Sequence, residues 1–160
     1  GGVALILAVH HPPFTGSREH APRPEMLTQI DEACDTAKIQ PDLVLSGHAH
    51  LYERYTRYRN GQQIPYVVAG MGGYFNLSGF KKAKKGTTVA QPKPPLTGTD
   101  AKGNKLVLET YNDQTFGFLR ITVTASTVKA TCLGVNLITK VVTPMDNFTI
   151  NLKNHTVTKP

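Results

Sequence analysis

The chain has 160 residues, 39% of them apolar, which is enough to bury one domain-sized core, and it carries a formal charge of +7. No run approaches the roughly 20 apolar residues needed to cross a bilayer as a helix, so no membrane association of that kind is expected. The charge is densest in "GFKKAKKG" (79–86), where Lys81, Lys82, Lys84 and Lys85 form either a solvated loop tip or a basic rim that steers anions. Without interleaved aromatics, that stretch argues against nucleic acid as a partner.

"GGVALILAVHH" opens the chain with neither a charged n-region nor a small-residue cleavage site, unlike a secretory leader. Residues 3–9 are an unbroken apolar run, the pattern of a strand buried on both faces of a parallel sheet. Such a strand needs neighbours on both sides, so the sequence is expected to be a fragment or processed subunit of something longer. After the polar loop "HHPPFTGSREHAPRP", the segment "PEMLTQIDEACDTAKI" (24–39) sets Met26, Leu27, Ile30, Ala33, Cys34 and Ala37 at helical spacing. Pro24 suits the first turn of that helix, and Pro41 is expected to end it.

"DLVLSG" reads as a second buried strand and completes a strand–helix–strand unit. In "ERYTRYRNGQQIPYVVAG", Asn60-Gly61 between two strand-like runs predicts a hairpin. Residues 71–104 are rich in Gly, Lys, Pro and Thr without periodicity and are expected to form one long loop. From residue 105, "KLVLETY", "FGFLRITVTA", "TVKATCLG" and "NFTINL" predict an antiparallel meander with one wet face. The expected fold is a single domain over 1–160, of α/β class with α+β character. It divides into a βαβ unit and hairpin to residue 70, the loop 71–104, and an antiparallel β region over 105–160.

Cys34 and Cys132 have no CxxC partner, and either buried free thiols or a disulfide fits two such positions. Localisation is open; sequons at Asn76, Asn147 and Asn154 lean towards a secreted or periplasmic setting.

The chemistry is concentrated in two loops that hold five of the six histidines. His10, His11 and His20 follow the first strand, and His48 and His50 follow the second. In a parallel sheet both loops leave at the carboxyl ends of their strands, the edge where open α/β sheets bind ligands. Neutral imidazole is the commonest protein metal ligand, and the residue between His48 and His50 lets the two rings diverge towards different ions. Gly47 is expected to supply the sharp backbone turn of that loop.

"HHPPF" followed by "LVLSGHAHLYER" resembles the last two motifs of the calcineurin-like metallophosphoesterases, in particular the purple acid phosphatase branch. His10 with Pro12 matches the strand-end His-x-Pro block, and Gly47-His48-Ala49-His50 matches Gly-His-x-His. "YVVAGMGGYF" and "FGFLRITV" resemble later strands of that branch, extending the likeness to about Val123. The resemblance implies the C-terminal half of an αββα sandwich. It implies that His10 and His48 ligate one metal and His50 a second, the pair being divalent or trivalent ions of Fe, Zn or Mn. His20 would be a general acid or phosphate-contacting group, and His11 would sit behind the ligands or face solvent. Glu53 and Arg54 would either pair behind the ligands or form an ordinary exposed ion pair.

The family's Asp-x-His, Gly-Asp-x-x-Tyr and Gly-Asn-His blocks are not in these 160 residues. Two cations roughly 3.5–4 Å apart repel unless an anionic ligand lies between them. An N-terminal half, in the same gene product or a companion chain, is therefore expected to supply the missing Asp, Asn and His ligands. The isolated chain is expected to be inactive. The activity implied is metal-dependent hydrolysis of phosphate esters, as an acid-phosphatase-like phosphomonoesterase. The alternatives are a phosphodiesterase or nucleotidase of the same superfamily, or a non-catalytic metal-binding subunit.

Overall fold

A computed structural model describes residues 3–80 and 91–159 of the chain. Strand β1 (Ile6–Val9) leads through the first histidine loop into helix α1 (Pro24–Ala37), and β2 (Leu43–Ser46) follows. Pro24 occupies the first turn of α1, while the helix ends on Lys38 in a left-handed conformation, three residues before Pro41. Strands β3 (Tyr52–Arg59) and β4 (Gln62–Ala69) form the predicted hairpin, with positive φ at both Asn60 and Gly61, as a type I′ turn requires.

Strand β5 (Leu96–Thr99) forms inside the stretch read as one long loop, and β6 (Lys105–Asn112) pairs with it. "LTGT" is four residues long, exposed throughout and interrupted by Gly98, so nothing local marks it as a strand. The first sheet has six strands in the order β1-β2-β4-β3-β6-β5. Its β1, β2 and β4 run parallel, and the β3, β6 and β5 side is antiparallel. Strands β7 (Gly117–Val123), β8 (Thr127–Val135), β9 (Val142–Asn151) and β10 (Thr156–Thr158) form a second, antiparallel sheet. The expected single meander from residue 105 is thus divided: β6 joins β3 in the first sheet, and the second sheet begins at β7.

The layers follow from the two-residue periodicity of the strands. On β4, Ile64, Tyr66 and Val68 face α1, where they meet Leu27, Ile30 and Cys34. Val67 points the other way, with Leu43 and Tyr52, onto Val128, Ala130, Cys132, Phe148 and Ile150 of the second sheet. A helix, a mixed sheet and an antiparallel sheet therefore stack with a separate apolar core in each gap. Cys34 and Cys132 lie in different cores as free, buried thiols. Strand β1 is at the sheet edge and is half-buried rather than fully enclosed on both faces. Among the described residues no helix is long and apolar enough to cross a membrane.

Candidate metal centre

The parallel pairing of β1 with β2 sets Val9 opposite Ser46, so both histidine loops leave the sheet at one level. The loops are then tied directly, Gly47 N–H donating to the carbonyl of His10 at 3.1 Å. The sharp turn of "GHAH" falls on His48, whose φ is +62°, and Gly47 has no such conformation. Holding a non-glycine residue there costs on the order of 1–3 kcal/mol, a strain that clusters at functional sites. The chain leaving β4 presses against this turn: a Cβ on Gly70 would collide with the carbonyl oxygen of Ala49. Ser78 clamps His50 from the other side, its N–H donating to the His50 carbonyl at 2.8 Å while its Oγ accepts from His50 N–H at 3.3 Å.

Five histidines converge on this edge. His10 Nε2 lies 3.2 Å from His48 Nδ1. One ring nitrogen each from His10, His11 and His48 fall within 4.8 Å of one another, close enough for one ion. Ring centroids place His20 between the two arms of the motif, 4.5 Å from His48 and 4.8 Å from His50. His11, read from the sequence as behind the ligands or facing solvent, presents a nitrogen to the same cluster as His10 and His48. Burial, then the neighbouring His11, His20, His10 and His50, hold His48 below the usual imidazole range. Burial and His20 lower His50 likewise, against a smaller opposing pull from Glu19. Both effects favour the neutral ring, the form that ligates. His155, the sixth histidine, is at the opposite end of the sheet, with Nδ1 2.9 Å from Asp42 Oδ1.

Glu53 and Arg54 do not pair with each other, and neither is exposed. As neighbours on β3 they point to opposite faces. Glu53 accepts from Gly16 N–H at 2.6 Å and from the Tyr55 hydroxyl at 3.3 Å, which anchors the loop carrying His20. Arg54 makes a two-pronged pair with Asp146 of β9, at 2.6 and 3.1 Å, beneath the second sheet. The far side of that loop is held by an Arg18–Gly79 backbone bond of 3.0 Å and by Phe80, whose ring fills the space a Cβ on Gly16 would need. Ser78, Gly70 and Phe80 were not singled out from the sequence, because their roles depend on segments distant along the chain. Lys81, Lys82, Lys84 and Lys85 fall outside the described residues.

The donor set can be tested against the metals the family resemblance implies. Three imidazole nitrogens in mutual reach fit a single ion of the Zn or Fe kind, whereas Mn favours oxygen donors that the cluster lacks among the described residues. Among the described residues no carboxylate joins that cluster, so the set does not by itself fit two bridged ions.

The layered α/β arrangement places its histidine loops at the carboxyl ends of parallel strands. The chain is similar in structure to purple acid phosphatase PPD1 isolated from seeds of yellow lupin (Lupinus luteus), with a TM-score of 0.61 and 17% sequence identity. That alignment covers 92% of this chain and 25% of the lupin chain, so this chain spans about a quarter of the length of the protein it matches. The sequence matches no protein-family model and no curated protein.

Proposed function

We propose that this chain is the C-terminal part of a metal-dependent phosphoric ester hydrolase of the phosphomonoesterase type, and that it contributes roughly half of a two-metal site. The observation that carries this reading is the convergence of His10, His11, His20, His48 and His50 on one sheet edge, with His10 Nε2 3.2 Å from His48 Nδ1. A second polypeptide segment supplies the bridging carboxylate and the remaining ligands.

His10 and His48 hold one ion in this reading, and His50 the other. Bound metals of this kind supply Lewis-acid polarisation of phosphoryl oxygens and activation of water. The protein's own residues do the rest. His20 donates a proton to the departing ester oxygen as a general acid. Glu53 holds the His20 loop through Gly16, and Ser78 fixes the direction of His50.

The test is hydrolysis of a phosphomonoester by the native protein, together with its completing segment, before and after metal removal. Chelation is expected to abolish turnover and metal to restore it. His48→Ala and His50→Ala are each expected to cost at least about 100-fold, in the range of lost catalytic groups. Turnover that survives both changes would overturn the reading. The absence of a carboxylate from the described cluster favours a second reading, a non-catalytic metal-binding subunit. Two ions per complex with turnover support the hydrolase; one ion without turnover supports the subunit. Activity on phosphodiesters or nucleotides in preference to simple monoesters would move the assignment within the same superfamily.

A further inference from the structure

The histidine cluster has an aromatic exit. The Tyr74 ring stacks on His50 at 4.2 Å between centroids with planes 28° apart, and Phe75 follows at 4.4 Å. Beyond them lies a groove of about 420 Å³ whose walls include Tyr74, Phe75, Phe116, Phe118 and Leu137. Its floor is close-packed backbone: Gly117 N–H meets the carbonyl of Met71 at 3.4 Å, and a Cβ on Gly72 would lie 2.7 Å from the Gly117 carbonyl oxygen. The side chains above that floor face water, Phe75 being 81% exposed, Tyr74 50% and Phe118 47%.

Exposed rings in a concave site, continuous with a polar metal-ligating cluster, are the arrangement of a small-molecule pocket with one anchoring end and one apolar end. Such rings offer flat faces to a flat partner, and offset or edge-on stacking rewards an aromatic group beyond the area it buries. The described walls offer no charged side chain that would select a polar or ionic group.

We infer that this groove is a subsite for the leaving group of the substrate, and that it selects phosphate esters carrying a planar aromatic ring. The inference rests on the phosphoester reading above for the position of the phosphoryl end; the ring-binding end stands on the groove itself. Tyr74 is the junction, stacked on His50 and tilted by 35° against Phe75. Phe75 and Phe118 are specificity-determining residues that line the groove, and neither belongs to the histidine cluster.

The experiment uses the native protein with its completing segment and two non-hydrolysable probes, phenylphosphonate and methylphosphonate, with binding measured by calorimetry. Hydrolysis of phenyl phosphate, adenosine 5′-monophosphate and glycerol phosphate is followed in parallel. Phenylphosphonate is expected to bind about 10-fold or more tightly than methylphosphonate. Phe75→Ala and Phe118→Ala should each weaken it about 3- to 10-fold, leave methylphosphonate within about 2-fold, and leave the urea midpoint unchanged because both side chains are exposed.

Equal affinity for the two probes, or equal loss of both on truncation, would overturn the subsite. That is also the result if another protein or another part of the chain covers the groove. Aryl preference in binding without turnover of any ester keeps the subsite and sinks the hydrolase. Turnover without aryl preference does the reverse. Between the aromatic esters, a lower KM for phenyl phosphate assigns a ring next to the phosphoryl group, and a lower KM for the nucleotide assigns one a ribose away.

Discussion

Arg57 shows how far a single side chain can organise this fold. It is fully buried, yet its guanidinium meets both oxygens of Asp31 at 2.6 and 2.8 Å and Asp100 at 2.6 Å, with the Tyr66 hydroxyl at 3.4 Å. A paired buried charge is close to neutral in net stability, but an orphaned one is costly. Arg57→Met is therefore expected to destabilise by about 3–5 kcal/mol, read from urea unfolding, because it removes the cation that two buried carboxylates share. Burial alone would raise the Asp31 and Asp100 carboxyls. At Asp31 the Arg57 guanidinium, assisted by Arg59 and Lys102, outweighs burial; at Asp100 the Asn104 N–H and then Arg57 do so, and both carboxyls are held below their ordinary value of 3.8.

A carboxyl depressed on folding stabilises the folded state above its unfolded pKa and loses that contribution as pH falls through the folded value. The contribution of these two carboxyls to the unfolding free energy is thus expected to hold from neutral pH down to about pH 4 and to fall below it, separately from the loss at about pH 6 that the depressed His48 and His50 bring. Urea titrations at pH 6, 4 and 3 measure this. A curve flat to pH 3 would remove the ion pairs from the account.

At the scale of elements, the turn after β2 is shaped as much by its neighbours as by its own residues. Gly70, at the exit of β4, is the contact point: any side chain there meets the backbone of Ala49 between the two histidines. Gly70→Ala is expected to cost about 1–3 kcal/mol as an overpacking change and, at the proposed metal centre, to weaken zinc binding by displacing His48 and His50. Zinc titration of the native protein against the variant checks it, with an exposed glycine such as Gly73, which has open space around it, as the control.

The βαβ unit, the hairpin and the two histidine loops were legible because each is written in local spacing: apolar runs, helical periodicity, Asn-Gly, and histidines placed just after strands. The division of β6 from β7 was not. "KLVLETY" alternates in the same way whichever sheet it joins, and its partner β3 lies about fifty residues earlier in the chain. The glycine expected to turn "GHAH" was misplaced for a related reason. Pairing and the clamp on Ala49 set that backbone, and they push the left-handed φ onto His48.

At the scale of the whole molecule, the first sheet has a separate core on each face. The Arg54–Asp146 pair, covered by Phe148 with its ring centroid 4.8 Å from the guanidinium carbon, ties β3 to the second sheet. The Arg57 network ties the same strand to α1 on the opposite face. Strand β3 is thus the shared spine of both layers, and it also carries Glu53, which anchors the His20 loop. Sequence reading picked out "LYERY" by family likeness and assigned its Glu and Arg to one another. The alternation of the strand sends them to different layers.

Each core also contains one thiol: Cys34 between helix and sheet, Cys132 between the sheets. Burial pushes both thiols up, Cys132 to about 12, so neither is a thiolate at neutral pH while the protein is closed. The molecule therefore carries two chemical clocks, one per core. In mild urea with a thiol-modifying reagent, mass spectrometry of the labelled peptides times the opening of each interface separately. If β3 fastens the two layers into one cooperative unit, Cys34 and Cys132 will be modified at the same rate. A lead for Cys34 would mean that the helix lifts away while the paired sheets remain shut.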